Sequence, residues 1–228
     1  MSRILLIENF DDGPEPDRVR LFLDRAGRDY TVIRPHAGDS VPRSAEGLAA
    51  AVIYGGAQEI YQTDRFPYLA DEHALAADAV RRDVPLLGLC LGAQCIAWAH
   101  GADVRPHPDG AVEFGYYDLT PAPEGQALFG GPVVMPQWHG HGFDLPDGAT
   151  RLASSALYPN QAFRLGSAWA FQFHPEVTPQ RMRRWQAHDA APWSAPGAQD
   201  RDEQDRRLGA HDAAIDAWFM AFLARFFA

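Results

Sequence analysis

The stretch PLLGLCLGAQC places Cys90 between Gly88 and Gly92, where an apolar run gives way to a helical pattern. A thiol raised on a sharp strand-to-helix turn is a nucleophile. Small residues on both sides are what such a strained turn needs, because it leaves no room for Cβ atoms. The free N–H groups and positive dipole end of a helix starting at Leu91 favour a thiolate, and they also stabilise an oxyanion formed by attack at a carbonyl. Read locally, Cys90 is equally a small core hydrophobe with packing glycines around it. Cys95, inside the helical stretch on an apolar run, takes the core reading.

A reactive thiol needs a base, and the base an orienting group. FQFHPEV, residues 171–177, supplies both types. Read as the end of a strand, it puts His174 and Glu176 on one side, with Pro175 holding the backbone extended between them. The carboxylate then fixes the imidazole tautomer and stabilises its cationic form, which in turn stabilises the thiolate. Gly55-Gly56 ends a neighbouring strand and offers a second oxyanion N–H, although a tight turn is the plainer reading of that pair. His139 and His141 in WHGHGF alternate as metal ligands on a strand do, but the sequence supplies no third or fourth ligand, so no metal and no cofactor is expected. EFGYYDL, around Gly115 and Tyr116, reads as an amphipathic strand. With no lysine in the chain, Schiff-base and lysine-base chemistry are excluded.

The elements that must position these groups alternate along the first hundred residues. RILLIE, residues 3–8, is a buried-strand pattern. Pro14 and Pro16 introduce a helix carrying Val19, Phe22, Leu23 and Ala26 on one face, closed by Gly27. YTVIRP, AAAVIYGG and PLLGLC are three more strands, with helices expected at 68–82 and 91–100. This order predicts an α/β fold: a doubly wound, mostly parallel sheet with helices on both faces, a flavodoxin-like or Rossmann-like three-layer arrangement. The carboxyl ends of its parallel strands are where sites lie.

The second half changes character. AVEFGYYDLTP, GPVVMPQW, NQAFRLG and AWAFQFH are shorter strands, several antiparallel, and form a small extension. Residues 194–207 are polar and read as a loop running into a helix. The last stretch, with Ile215, Phe219, Phe222 and Leu223 at helical spacing, packs on the sheet. One domain spanning residues 1–228 is expected.

The composition narrows the partners. A net charge of −10, from 20 basic and 30 acidic residues, disfavours nucleic acid and anionic membranes. The N-terminus is too short and acidic for a signal peptide, and no apolar run nears the roughly 20 residues of a membrane span. Two cysteines in a chain of this size are no disulfide framework, so a soluble cytoplasmic protein with reduced thiols is expected.

Taken together, GLCLGAQ at 88–94, FHPE at 173–176 and YGG at 54–56 resemble the motifs of the class I (triad) glutamine amidotransferases, in the family's order and spacing through about residue 180. EFGYYDLTP, PQWHG and YPNQAF resemble the stand-alone proteins similar to the glutaminase domain of GMP synthetase. The resemblance implies hydrolysis of the glutamine side-chain amide through a γ-glutamyl thioester, releasing glutamate and ammonia. Cys90 would be the nucleophile, His174 the acid–base group and Glu176 its orienting partner. Gly56 and Leu91 would hold the oxyanion, while Gln94, Gln58 and the Gly140–His141 backbone would line the site for the amino-acid end.

No synthetase domain is read after Glu176, so ammonia is expected to pass to a synthetase partner in trans, or the protein to act alone. A γ-glutamyl peptidase or hydrolase using the same triad on γ-glutamyl conjugates is the alternative. A catalytically silent relative that binds a metabolite or partner is the second. Ala57, where many relatives carry proline, and His141, where close relatives often carry Asp, depart from the pattern near the expected substrate pocket.

Overall fold

The computed structural model describes residues 3–11, 13–131 and 133–228. Its first half alternates strands and helices: β1 (Arg3–Ile7), α1 (Arg18–Arg25), β2 (Tyr30–Ile33), β3 (Leu48–Ile53), α2 (Tyr68–Arg81), β4 (Leu86–Leu89) and α3 (Leu91–Ala99). The second half carries β5 (Val104–Pro106), β6 (Glu113–Pro121), α4 (Gln126–Phe129), β7 (Val133–His139), β8 (His141–Phe143), β9 (Thr150–Ser154), β10 (Ala162–Leu165), β11 (Ala168–Phe171), α5 (Pro179–Gln186) and α6 (Arg201–Phe226). Pro132, inside the expected strand GPVVMPQW, lies outside the described residues.

Nine strands form one sheet in the order β2-β1-β3-β4-β11-β10-β9-β6-β7, and β5 pairs with β8 apart from it. The first five run parallel and the rest antiparallel. The α/β class and the mostly parallel core are as the sequence predicts, and the antiparallel extension accounts for four strands.

Alternation along each parallel strand divides the apolar side chains between two faces. Ile4 and Leu6 face one way, into a core shared with Val19 and Leu23 of α1, Met182 of α5 and Phe219, Phe222 and Leu223 of α6. Leu5 and Ile7 face the other way, into a core shared with Leu69 and Leu75 of α2 and Ile96 of α3. The helices that flank the site have clear starts. Asp17 caps α1 by accepting the Val19 and Arg20 N–H groups, and Thr178 with Pro179 opens α5. The polar stretch at 194–207 resolves into turns that enter α6 at Arg201, behind the cap of Asp200 on the Glu203 N–H.

Two boundaries bear on the site. β4 ends at Leu89 and α3 begins at Leu91, which leaves Cys90 alone on the turn. β11 ends at Phe171, three residues before His174, so the expected extended segment through Glu176 does not form. The chain bends after Phe171, and the Val177 N–H closes a turn onto the His174 carbonyl.

Candidate active site

β4 and β11 are parallel neighbours, with Gly88 opposite Ala170 and Leu89 opposite Phe171. Their carboxyl ends therefore carry Cys90 and the 172–176 segment to the same edge, and the Cys90 N–H donates to the Phe171 carbonyl at 2.8 Å. Cys90 has φ 51° and ψ −104°; among the described residues only Asp83 is a second non-glycine with positive φ. Such a conformation costs about 1–3 kcal/mol and persists where the surroundings over-determine it. Here the glycines do so by close approach. A Cβ on Gly88 would lie 2.4 Å from the Gly92 carbonyl oxygen, and one on Gly92 would lie 2.0 Å from that of Ile53. Neither glycine has positive φ, so it is the missing side chain that the turn requires.

His174 is buried, and its Nδ1 pairs with Glu176 Oε1 at 2.7 Å. The pairing predicted from alternation exists, but the turn makes it: Pro175 stands at a bend between the two side chains. Burial works against the imidazolium, yet the adjacent Glu176 carboxylate and Cys90 sulfur outweigh it, raising the His174 pKa to about 10. With Nδ1 committed to Glu176, Nε2 is the ring nitrogen left for the Cys90 sulfur.

The turn is clamped by charge. Arg18, itself buried, donates to the Pro175 and Val177 carbonyls and ion-pairs with Asp212 at 2.5 Å and Asp216 at 2.9 Å. Its backbone N–H donates to the Glu176 carbonyl at 3.0 Å. Thus α1 and α6 hold the segment that carries His174.

The remaining predicted residues are distributed unevenly. Gly56 packs against the Leu91 side chain: a Cβ there would lie 2.9 Å from the Leu91 Cδ2, so the two residues adjoin. Gln94 is buried and donates to Gln172 at 3.2 Å. Gln58 turns back to donate to the Asn9 carbonyl at 3.2 Å. His141 bonds Tyr61 through Nε2 at 3.1 Å, and the Gly140 carbonyl accepts the His107 N–H. Both nitrogens of His139 are engaged, by the His141 carbonyl and by buried Glu113. No group of three potential metal ligands occurs among the described residues. Cys95 is fully buried within α3, and burial pushes its thiol well above the ordinary value.

Gln172 is the functional candidate that sequence reasoning passed over. Its amide donates to Cys90 Sγ at 3.5 Å while its oxygen accepts from Gln94, linking the two residues. The available signal was its place two residues before His174 in FQFHPEV. A cavity of about 340 Å³ is lined by Cys90, His174, Glu176 and Gly56 together with Trp138 and Trp185 and with the charged Glu8, Asp11, Arg34 and Arg181.

The fold and site define an α/β protein whose buried thiol stands on a strand–turn–helix elbow, against a His–Glu pair from the turn that follows the neighbouring strand. The model of the glutamine amidotransferase class-I family matches residues 22–187, and the chain belongs to that family. It is 32% identical over 203 residues to the glutamine amidotransferase-like protein YfeJ of Salmonella typhimurium, covering 84% of this chain and 81% of that one. It is 33% identical over 189 residues to a subunit of the glutamine-hydrolyzing GMP synthase of Thermoplasma acidophilum, covering 78% and 85%. Against the GMP synthase of Porphyromonas gingivalis the identity is 30% over 154 residues, and the match spans 28% of that longer protein.

Among solved structures, a glutamine amidotransferase of Thermotoga maritima aligns with a TM-score of 0.85 at 25% identity, over 99% of this chain and 97% of that one. A glutamine amidotransferase of Methylobacillus flagellatus aligns with a TM-score of 0.89 at 26% identity, over 99% and 94%. No helix among the described residues is long and apolar enough to cross a membrane.

Proposed function

We propose that the chain hydrolyses a γ-glutamyl amide, with glutamine as the simplest substrate, through a thioester on Cys90. The observation that carries this reading is Cys90 at positive φ beside a His174 whose Nδ1 is bound to buried Glu176. The thiolate attacks the side-chain carbonyl carbon. The N–H groups of Gly56 and Leu91 receive the oxyanion, where donors fixed in a dry site act most strongly. His174 gives its proton to the departing nitrogen as the C–N bond breaks. It then takes a proton from water, which attacks the thioester, breaks the C–S bond and leaves glutamate. Buried Gln172 donates to the sulfur, and Gln94 fixes Gln172.

When glutamine is the substrate, the ammonia either passes to an acceptor held by a separate synthetase chain or leaves to solvent. The likeness to a subunit of a GMP synthase supports the former.

The test is glutamate release from L-glutamine by the wild-type chain and by Cys90→Ala. Turnover in the wild type that falls about a thousandfold or more in the variant, with the melting temperature held, supports the reading. A loss of fold without a specific loss of turnover would assign Cys90 to the core.

A further inference from the structure

A carboxyl group stands on the face of α2 that is otherwise apolar. Leu69, Leu75, Ala76 and Ala79 make up that buried face at helical spacing, and Glu72 is fully buried with them. No cation balances it: burial raises its pKa to about 8, opposed by a hydrogen bond from Asn9. Burying an acid in this way costs free energy that an apolar side chain of the same size would not. What the carboxyl does have is Asn9, whose Nδ2 donates to Glu72 Oε2 at 3.2 Å.

Asn9 is itself buried, just beyond the end of β1, and it holds residues 54–58 at both ends. Its Nδ2 reaches the Tyr54 carbonyl at 3.5 Å, and its own carbonyl accepts from the Gln58 amide at 3.2 Å. Between those anchors run Gly55 and Gly56. A Cβ on Gly55 would lie 2.8 Å from His174 Cε1 and 3.4 Å from Cys90 Cβ, whereas one on Gly56 would lie 2.8 Å from Asn9 Cβ. The backbone of the glycine pair is therefore packed between the triad and Asn9, and Glu72 backs Asn9. A shift of Asn9 moves the main chain that faces Cys90.

We infer that Glu72 is a positioning residue for the proposed hydrolysis. Through Asn9 it fixes the Gly55–Gly56 backbone against Cys90, and with it the peptide N–H that receives the oxyanion. This rests on the Cys90 thioester reading above. Such donors act by geometry, and a displacement of about 1 Å costs on the order of a hundredfold in rate. Oε2 accepts from Asn9 whether or not Glu72 is protonated, so the hydrogen bond carries the effect and the charge does not.

The experiment compares the wild type with Glu72→Leu, Glu72→Gln and Asn9→Ala. It measures kcat and KM for glutamate release from L-glutamine, the rate of Cys90 alkylation by iodoacetamide, and the melting temperature. Alkylation displaces iodide from a saturated carbon and forms no oxyanion, so it reports the thiol and its base alone. Glu72→Leu is expected to lower kcat by about tenfold to a hundredfold, with KM and the alkylation rate held within about twofold. Glu72→Gln keeps an oxygen acceptor for Asn9 and should retain kcat within about threefold. Asn9→Ala should lose as much kcat as Glu72→Leu, and the double variant no more than either alone, because the two act as one unit.

A wild-type kcat in Glu72→Leu overturns the inference and leaves the triad standing. So does an alkylation rate that falls in step with kcat, which would place the effect on the thiol, or a loss in Glu72→Gln as large as in Glu72→Leu. Collapse of the melting temperature in both Glu72→Leu and Asn9→Ala assigns the pair to the core and overturns it as well. Absence of glutamate release from the wild-type chain overturns the thioester reading itself, and this inference with it.

Discussion

The two halves of the site, set side by side on β4 and β11, are held in place by different physics. The elbow around Cys90 is fixed by shape. Gly88 meets Gly92, and Gly92 meets the Ile53 carbonyl, at distances that no side chain would survive. The turn around His174 and Glu176 is fixed by charge, through the Arg18 guanidinium shared among two backbone carbonyls and two aspartates of α6. A residue at positive φ persists only where its surroundings over-determine it, as the close contacts of the elbow do for Cys90. A base that gains and loses a proton is better held by groups whose fields also stabilise its cationic form. The contrast separates positions where a methyl group is ruinous from positions where a charge is.

The comparison breaks hardest at Gly92. Gly92→Ala puts a Cβ against a main-chain oxygen that cannot give way, so a loss of about 3 kcal/mol or more is expected, read by denaturant unfolding. A loss within about 0.5 kcal/mol would mean that the helix shifts freely and that shape does not fix the elbow.

On the charge side, Arg18→Met should cost about 3 kcal/mol by stranding two buried carbonyls and releasing α6 from the turn. Asp216 is nearly half exposed, so water screens that arm and most of the loss comes from the carbonyls. The measurement is the same unfolding experiment, and a neutral outcome would show that packing of α5 and α6 alone sets the turn.

Glu176→Gln is the gentlest of these. It should slow turnover by about tenfold to a hundredfold, less than loss of Cys90 or His174, because an orienting group contributes less than the nucleophile or base. It should also move the alkaline limb of the activity profile. The His174 pKa is raised, so its ion pair with Glu176 contributes in full below the ordinary histidine value of 6.5 and is lost as pH rises through about 10. Wild-type turnover is therefore expected to fall only as pH approaches about 10, and that limb should move towards neutrality in the Gln variant. Equal losses for Glu176 and Cys90 variants would show that Glu176 does more than orient.

The parallel core was legible because alternate burial on both faces writes itself as runs such as RILLI and LAAAVI, and because a glycine pair flanking a cysteine at a strand end has few explanations. The site was legible less directly. His174 and Glu176 belong together, but strand alternation is the wrong cause: β11 stops at Phe171 and a turn brings them together. Both geometries pair residues two apart, so the pattern could not tell them apart.

Gln172 was hidden because its partner, Gln94, is distant in sequence and the bond between them is made only when β11 lies beside β4. Arg18 was hidden for the same reason. In the sequence it is one arginine among several on a short helix, and its clamp depends on aspartates almost two hundred residues away. The rings of Phe10, Trp138, Trp185 and His188 likewise meet from beyond the end of β1, from β7, and from α5 and the residues just after it.

The claim that Cys90 is an activated nucleophile while Cys95 is core is tested most directly by labelling. The folded protein is treated at neutral pH with 6-diazo-5-oxo-L-norleucine, a glutamine-analogue electrophile, and its peptides are mapped by mass spectrometry. The account predicts one adduct, on Cys90, that is lost in His174→Gln and never appears on Cys95. An unmodified Cys90 in the folded chain, or equal labelling of both cysteines, would contradict it.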